Sequence, residues 1–385
     1  MGGLVLLLTL LKRGVPATLY EREVDKDSRA HLGGLLDLEW ASGQRALREN
    51  RLEDVFKKNS RCDAEEAKIC GKDGVPIFHK PGGEPTDDDL KNSRPEIDRR
   101  VLRDVLLAAL PNPDAVHWDH RLSSIRRLPD GRFELTFANG AVTTADFVVG
   151  ADGAHSRVRP LLSSATPIYH GVSGAELSLA PDIVSSPANH DINEAVGSGS
   201  CGLAQDGKFI VFQRNGDGRI RANAWQHHPV DWSLPNVPAA AKEVLHELYT
   251  GWAPSVHRFI DQADEGAIFT RQVFHLPVGH RWPHTPGVTL IGDAAHPMSP
   301  AAGAGANLAM LDGLELGLVL AESIGSGKAS GAETDAAVAA WEERMWKRSE
   351  RFAALSFKNL GALTGPDAPG SVLLAFKEAR SEDLQ

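Results

Sequence analysis

A carboxylate, a stiff loop and a glycine-rich helix start stand together in the stretch GDAAHPMSPAAGAGAN, residues 292–307. The apolar run before it, Val288–Ile291, predicts a strand that delivers Asp293 into the loop, where Pro297 and Pro300 restrict the backbone. AGAGAN then begins a helix, whose first N–H groups have no partner within the helix and attract anions. A turn alone would explain the prolines and glycines, but not the acid and the helix start in this order. The stretch therefore predicts an anion-binding site.

A second polar stretch, VVGADGAHSRVRP at 148–160, places Asp152 where a predicted strand meets a turn. Its carboxylate could orient Arg157 or Arg159, or accept a hydrogen bond from a ligand hydroxyl. An aspartate that caps a turn is also common at such a junction. The stretch therefore leaves a structural role and a binding role open.

The opening MGGLVLLLTLLKRGVPATLYERE has the pattern of a helix, a turn, a short strand and an acid. In a dinucleotide-binding fold, a glycine at the helix start lets the backbone approach a pyrophosphate, and an acid about 20 residues later binds ribose hydroxyls. Gly3 would be the third glycine of that fingerprint, and Glu21 follows it 18 residues later. An apolar helix followed by a charged loop explains the pattern as well. A signal peptide is disfavoured, because no basic residue precedes LVLLLTLL and KRG follows it directly.

The elements that would position these stretches change in type along the chain. Helical spacing predicts helices over residues 3–13, 41–58, 99–110 and 333–360. Residues 166–280 are mostly β in pattern, and turn residues predict hairpins within 115–150 and over 207–226. The order predicts an α/β lobe interrupted by a β-rich lobe. The corresponding boundaries are 1–165 and 280–330 for the α/β lobe, 166–279 for the β-rich lobe, and 331–385 for a C-terminal helical segment.

Composition excludes several classes of protein. The chain has 385 residues, of which 42% are apolar and 24% charged, as in ordinary soluble proteins of more than one lobe. A net charge of −10 argues against a nucleic-acid partner, and no apolar run reaches membrane length. The three cysteines have no metal-ligand spacing, and their odd number favours a reducing, cytoplasmic compartment. We expect a monomer that binds neither metal, membrane nor nucleic acid.

The three stretches, in this order and separation, resemble the flavoprotein aromatic hydroxylases, which are single-component FAD monooxygenases with the para-hydroxybenzoate hydroxylase fold. GADGAHSRVR is similar to the second motif of that family, which touches FAD and the nicotinamide coenzyme. GDAAHPMSPAAGAGAN is similar to the third motif, which binds the ribityl chain and pyrophosphate of FAD. HLGGLLDLEWASGQRAL, PEIDRRVLRDVLL and VHWDHRL also fit the pattern of the tetracycline-inactivating monooxygenases, within a likeness that covers about residues 2–360. The resemblance implies a Rossmann-like FAD-binding lobe, an inserted β-rich substrate lobe and a long C-terminal helix.

The resemblance also implies which residues of the first half bind FAD. Gly3 would lie at the pyrophosphate, and Glu21 would bind the adenosine ribose with Arg22 beside it. Asp37, in LLDLE, would lie near the flavin or its linker, and Asp152 belongs to the motif that touches both cofactors.

Further cofactor contacts are implied on the helix at 99–110 and in the third motif. Arg99 and Arg103, one helical turn apart, would face the cofactor, and Asp293 would bind the ribityl chain or a phosphate. Backbone N–H groups at the flavin pyrimidine edge would come from the segment that contains Pro300, Gly303, Gly305, Ala306 and Asn307.

The implied reaction needs no catalytic triad, because the cofactor carries the difficult chemistry. NADPH or NADH would reduce FAD, and O2 would form a flavin C4a-hydroperoxide that hydroxylates a small aromatic, polycyclic or enol-bearing substrate. His155 and His296 are interpreted as structural hydrogen-bonding residues. Arg221 falls near a substrate-contact position of the family, and it alternates onto one strand face with Asn223 and Trp225. That face could line the substrate pocket or face solvent.

The sequence departs from the family pattern at its start. Members of the family have a strand and two further glycines before the position of Gly3, where this sequence has Met1. A cofactor-defective, non-catalytic relative or an incomplete gene model is therefore the alternative hypothesis. A dehydrogenase that uses only a nicotinamide coenzyme would explain the opening, but it would leave GDAAHPMSP without a role.

Overall fold

A computed structural model of the chain describes residues 1–28, 33–83, 93–325 and 331–375. The helices, numbered in chain order, are α1 (Gly2–Leu11), α2 (Gly43–Glu49), α3 (Glu53–Asn59), α4 (Arg99–Ala108), α5 (Pro181–Val184), α6 (His190–Val196), α7 (Pro238–Leu248), α8 (Pro254–Gln262), α9 (Gly305–Gly325) and α10 (Gly331–Thr364). The strands are β1 (Leu19–Tyr20), β2 (Leu35–Asp37), β3 (Ala67–Cys70), β4 (Pro76–Lys80), β5 (Glu96–Asp98), β6 (Val116–His117), β7 (Leu122–Arg127), β8 (Phe133–Phe137), β9 (Val142–Ala145), β10 (Val148–Gly150), β11 (Ile168–Leu179), β12 (Ser200–Gln205), β13 (Lys208–Arg214), β14 (Ile220–His227), β15 (Phe269–His275) and β16 (Val288–Leu290).

The helix predicted over residues 41–58 is two helices, α2 and α3. The chain turns between them because Arg51 adopts a left-handed backbone with φ of 57°. The Asn50 amide donates to Ala46 O and to Thr9 Oγ1 on α1, so the turn is tied to the first helix. Helical periodicity continues through a single left-handed residue, and the sequence pattern therefore missed the break.

Besides β3 and β12, which pair in parallel within the largest sheet, the parallel strands form two separate pairs. In one pair Leu19 of β1 lies opposite Val116 of β6, and in the other Val149 of β10 lies opposite Thr289 of β16. Within the ranges that the structure describes, no strand joins the two pairs. Helix α1 begins between them: a Cβ added at Gly3 would lie 3.3 Å from the Ala151 Cβ, just after β10, and 3.4 Å from a methyl of Leu19.

Helix α1 also packs closely against α9, and glycines make that approach possible. A Cβ at Gly2 would lie 2.6 Å from the Ala309 carbonyl oxygen, and a Cβ at Gly317 would lie 2.7 Å from Thr9 Cγ2. Contacts this short exclude a side chain. The first turn of α1 therefore lies against the first turns of α9.

The largest sheet has seven strands in the order β15-β11-β14-β13-β12-β3-β4. Its strands β11–β15 come from residues 168–275, whereas β3 and β4 come from residues 67–80. One face packs on α6, α7 and α8, for example through Phe212 against Phe259. The other face carries Phe209 and Trp225, which belong to a buried cluster with Leu360 of α10. The hairpin predicted over 207–226 is confirmed as β13–β14.

A buried carboxylate contributes to fixing the long C-terminal helix to the first lobe. Glu342 of α10 accepts hydrogen bonds from Thr289 of β16 (2.6 Å), His284 (2.7 Å) and the Trp282 indole (3.1 Å). This helix therefore contacts both lobes, through Glu342 on one side and Leu360 on the other. The predicted architecture, an α/β lobe interrupted by a β-rich lobe and completed by a long C-terminal helix, is confirmed. None of the helices in the described ranges combines the length and apolar character needed to cross a membrane.

Candidate functional site

Four of the predicted cofactor residues lie around the start of α1. The amino group of Met1 is within electrostatic reach of Glu21, Arg99, Arg103 and Asp293. These residues come from the end of β1, from α4 and from the loop after β16, which are far apart in sequence. The tertiary structure therefore brings two carboxylates and two guanidinium groups to one helix N-terminus.

Glu21 and Arg22 lie at the end of β1. The Glu21 N–H donates to His117 O (2.9 Å), which extends the β1–β6 ladder by one residue, and its carboxylate accepts from Glu23 N (3.2 Å). The Arg22 side chain is exposed and pairs with Glu23 at 3.4 Å. The Glu21 carboxylate therefore caps the turn that follows β1, and the Arg22 side chain lies at the surface.

The two arginines of α4 differ in their partners. Arg99 forms no ion pair with any residue in the described ranges, and its side chain packs beside Gly33. Arg103 donates to Lys26 O and lies 3.8 Å from Asp104. Arg99 is thus the guanidinium with more capacity left for an anion, since a guanidinium carries five donors.

Asp293 is positioned by a buried ionic network that the sequence did not reveal. Asp293 itself is exposed in a 3-10 turn, while both of its neighbours are buried. Asp312 of α9 accepts from the Gly292 N–H (3.0 Å) and from His296 Nε2 (2.6 Å), and Arg348 of α10 donates to its second oxygen (3.0 Å). The network fixes the turn from both sides and leaves the Asp293 side chain outside it.

The opposite charges of His296, Asp312 and Arg348 offset the cost of burying these groups away from water. Burial lowers the pKa of His296, but the carboxylate of Asp312 reverses this effect, so the pKa of His296 is raised overall. Burial likewise raises the pKa of Asp312, but His296 and Arg348 reverse that effect and hold it below its ordinary value. Both groups are therefore favoured in their charged forms, and the interpretation of His296 as a structural residue agrees with its contacts.

The start of α9 has the geometry of an open anion site. Pro300–Ala302 form a 3-10 turn capped by Ser299, and Gly303 follows with φ of 65°, a left-handed backbone that favours glycine. A Cβ added at Gly305 would meet no atom within 4 Å. A ligand could therefore approach the first turn of α9 at Gly305, where the helix has N–H groups without a partner in the helix.

Asn307 ties the start of α9 to the segment after β2. Its side-chain oxygen accepts from Glu39 N (2.9 Å), Ser42 Oγ (3.1 Å) and Gly43 N (3.2 Å), and its amide donates to Asp37 O (2.7 Å). The Asn307 side chain is thus used entirely within the protein. It places the Asp37 carboxyl beside Gly303, whose added Cβ would lie 3.6 Å from Asp37 Oδ2.

In the second motif the structure separates two roles. Asp152 is exposed and accepts from Arg157 N (2.7 Å), as a turn-capping aspartate does. Arg159 is only 3% exposed and donates to Ala294 O (2.9 Å), Ala165 O (3.2 Å) and Ala154 O (2.5 Å). Arg159 therefore connects the second motif to the Asp293 turn, and its burial could not be read from a stretch that looks like a charged loop.

Arg221 lies on the face of the seven-stranded sheet that turns toward the first lobe. It donates to Glu176 Oε1 (3.2 Å), whose other oxygen accepts from Arg271 (2.6 Å). Arg221 is 6% exposed, and a Cβ added at Gly34 would lie 3.9 Å from its side chain. The face that alternation predicted is therefore enclosed by protein and does not face solvent. Glu176, on a separate strand, had no sequence signal that linked it to this site.

These donors fit a dinucleotide cofactor. The starts of α1 and α9 offer N–H groups to phosphates, Arg99 offers positive charge, and Glu21 and Asp293 offer acceptors for hydroxyl groups. Within the described ranges, no group of three or more His, Cys, Asp or Glu side chains could bind a metal ion. The fold and the site thus define a nucleotide-cofactor protein in which an α/β lobe faces a β-rich lobe.

Comparison with known proteins gives the family. The model of the FAD binding domain family matches residues 98–351, more than half of the chain. The chain belongs to this family, and FAD is its cofactor. The resemblance read from the three sequence motifs is therefore confirmed.

Curated relatives place the chain among the monooxygenases of this family. Monooxygenase penA from Penicillium thymicola is 26% identical over 377 residues, which cover 85% of this chain and 84% of the relative. The 3-amino-4-hydroxybenzoate 2-monooxygenase PtmB3 from Streptomyces platensis is 29% identical over 335 residues, which cover 85% of this chain and 78% of the relative. The chain is accordingly an oxidoreductase of the FAD-dependent monooxygenase type.

Solved structures share the fold at lower sequence identity. HpxO from Klebsiella pneumoniae, in complex with FAD and uric acid, superposes with a TM-score of 0.76 at 19% identity and covers 99% of this chain and 90% of HpxO. The tetracycline destructase Tet(55) gives a TM-score of 0.70 at 18% identity over 98% of this chain and 94% of its own. At this identity the likeness establishes the two-lobed fold.

Proposed function

We propose that this chain uses NADPH or NADH and O2 to hydroxylate a small aromatic, polycyclic or enol-bearing molecule. One relative is a hydroxybenzoate monooxygenase by name, and the structure of HpxO contains uric acid. Both of these small molecules are planar rings that carry oxygen atoms. The observation that carries the proposal is the meeting of Arg221 with the first lobe at Gly34, close to the Asp37 segment. A substrate at that junction would contact both lobes.

The chain's own residues would bind FAD along the first lobe. We assign the adenosine ribose to Glu21, with Arg22 at the rim, and the pyrophosphate to the helix start at Gly3. Arg99 and Arg103 add positive charge there, because helix starts and guanidinium groups both favour phosphate. FAD held by these residues would supply the redox chemistry, namely hydride acceptance from the nicotinamide coenzyme and activation of O2.

The flavin end is assigned to the third motif and its neighbours. Asp293 would accept hydrogen bonds from the ribityl hydroxyls, and Asp152 would lie where flavin and coenzyme approach each other. The α9 start would present N–H groups to the flavin ring, where such donors stabilise developing negative charge. That segment contains Pro300, Gly303, Gly305, Ala306 and Asn307.

The substrate lobe would select its ligand through the Arg221–Glu176–Arg271 cluster. Two guanidinium groups contact one carboxylate there. A phenolate, enolate or carboxylate on the substrate would form charge-assisted hydrogen bonds with guanidinium groups of this kind. We assign residues 166–279 to this lobe, 1–165 and 280–330 to the FAD lobe apart from β3 and β4, which join the sheet of the substrate lobe, and 331–385 to the C-terminal segment. The protein would act as a cytoplasmic monomer.

The test is to purify the chain and record the flavin absorbance spectrum and the bound FAD per chain. Oxidation of NADPH and of NADH is then followed with phenolic, polycyclic and enol-bearing compounds, and products are examined by mass spectrometry for one added oxygen atom. Coenzyme oxidation that depends on a substrate, with such a product, supports the proposal. Coenzyme oxidation that yields only hydrogen peroxide with every compound would contradict it.

A second candidate, a non-catalytic protein of the same fold, is favoured by the two unjoined pairs of parallel strands. A helix start flanked by such pairs meets a pyrophosphate from one side only. A form extended before Met1 by an apolar strand ending in Gly-x-Gly provides the comparison. If the extended form binds FAD and oxidises coenzyme while the 385-residue form does neither, the second candidate describes the shorter form.

A further inference from the structure

The short ribbon of β2 and β5 carries two acids directly opposite each other. In the antiparallel register Asp37 faces Glu96, and Asp98 lies on the same face two residues further along β5. Side chains opposite each other in such a pair have Cβ atoms about 4.5–5.5 Å apart. Carboxylates on side chains paired in this way repel each other, so ionisation of one opposes ionisation of the other.

The cations near this pair are engaged by other acceptors. Arg94 lies 3.2 Å from Glu39 and 3.8 Å from Asp37. Arg61 donates to two carbonyl oxygens, those of Arg214 and Ser198, and pairs with Asp63.

A count of the cluster gives an excess of acid. Lys80 pairs with Glu65 at 2.7 Å, so that carboxylate is compensated. Among the residues that the structure describes, the acids of the cluster are Asp37, Glu39, Asp63, Glu65, Glu96 and Asp98, and its cations are Arg61, Lys80 and Arg94. The acids therefore outnumber the cations, and binding one proton relieves part of that excess.

Glu96 is the group on which the proton is best retained. Its Oε2 atom is buried and has no hydrogen-bond partner. An ionised carboxylate in this position would lose its hydration without compensation, whereas the neutral acid loses much less. Asp37, by contrast, has Arg94 nearby and keeps 35% of its side-chain surface exposed.

The pKa values of the pair follow this geometry. Burial raises the pKa of Glu96 to about 8, and the charge of Asp37 adds to the rise. Burial raises the pKa of Asp37 to about 6, and Arg94 opposes that rise. Near neutral pH the pair therefore retains one proton, mainly on Glu96.

We propose that the Asp37–Glu96 pair is the on-site proton store for oxygen reduction beside Gly303. This inference rests on the proposed function, whose overall reaction is substrate–H + O2 + NAD(P)H + H⁺ → substrate–OH + NAD(P)⁺ + H2O. One proton beyond the hydride is consumed in each turnover. Asp37 adjoins the third motif through Gly303 and the Asn307 contact, so it is the member of the pair at the cofactor side.

The first test needs neither turnover nor substrate. An infrared titration of the FAD-free chain follows the carbonyl stretch of protonated carboxyl groups at neutral pH and above. The wild type should retain one such band at pH values where ordinary carboxyls are ionised, and Glu96→Gln should abolish it. Asp37→Asn should move its titration to lower pH, because the neighbouring negative charge is gone. Glu134→Gln, at the Arg126 ion pair on β8, is the matched control and should leave the band unchanged.

The second test uses the FAD-loaded protein. Glu96→Gln should lower the rate of flavin reoxidation by O2 at alkaline pH more than at acidic pH, while flavin reduction by coenzyme is unchanged. A wild type without the infrared band, or a band that survives in Glu96→Gln, would overturn the proton store whether or not the enzyme turns over. If the band behaves as expected but no hydroxylated product forms with any compound, the proposed function fails and the proton pair stands as a property of the fold.

Discussion

Replacing Asn307 by alanine tests how the start of α9 is connected to the rest of the site. The side chain is 1% exposed and makes four hydrogen bonds, three as acceptor and one as donor. Asn307→Ala leaves the N–H groups of Glu39 and Gly43 and the carbonyl of Asp37 without this partner. The Ser42 hydroxyl retains Glu39 Oε2 at 3.3 Å, so it contributes little to the loss.

The expected magnitude follows from these three backbone groups. A buried group that loses its partner costs about 1–3 kcal/mol, and partly exposed groups recover some of that from water. Gly43 is buried, while Asp37 and Glu39 are partly exposed, so we expect a loss of about 2–4 kcal/mol in the free energy of unfolding. FAD affinity should fall as well, because the Asp37 segment and the start of α9 would no longer be held in their present relative position.

The assay is urea unfolding followed by tryptophan fluorescence, together with an FAD titration of each variant. Asn59→Ala is the matched control, since the Asn59 amide donates only to Val55 O on an exposed helix end. A loss of stability no greater than that of the control, with unchanged FAD affinity, would refute the role assigned to Asn307.

Three further predictions concern the neighbouring contacts. Arg159→Met should lower the melting temperature by several degrees, since three carbonyl oxygens lose a buried donor, whereas Arg157→Met at the exposed neighbour should change it little. The second prediction concerns stability against pH. The stabilisation by His296 is complete below its pKa in the unfolded chain and is lost as pH rises through its raised pKa in the folded protein. The stabilisation by Asp312 is complete above its pKa in the unfolded chain and is lost as pH falls through its lowered pKa in the folded protein. Stability measured against pH should therefore gain most from this pair between about pH 4 and 6.5, and Asp312→Asn should remove that gain, so an unchanged pH profile would contradict the assignment. Asp293→Ala should weaken FAD binding by about 1–3 kcal/mol in titration without lowering the melting temperature of the FAD-free chain, because its side chain lies outside the buried network.

Local pattern was sufficient for much of the architecture. The hairpin turns, the amphipathic helix at 99–110 and the long C-terminal helix depend on turn chemistry and on apolar spacing, both of which are local properties. The third motif was also recognisable, because proline, glycine and an acid in that order specify a strand end followed by a helix start. FAD as the cofactor was implied by the resemblance of three such motifs, in their order along the chain, to a known family.

The break between α2 and α3 was not predictable in this way. It depends on Arg51 adopting a left-handed backbone, and the Asn50 contact with Thr9 on another helix fixes that turn. The spacing of apolar residues does not indicate a single residue with a left-handed backbone.

The sequence by itself determined the fold class and, through its resemblance to a known family, the cofactor, because both depend on short stretches with fixed spacing. The residues nominated around the cofactor stay predictions. Only the tertiary structure decided which charges act together. Asp312 with His296, Arg221 with Glu176, and Asp37 with Glu96 are brought together by packing or by strand register from separate parts of the chain. Whether a charge is compensated depends on the atoms within a few ångströms of it in space, and their identity is set by the fold and not by neighbours in the sequence.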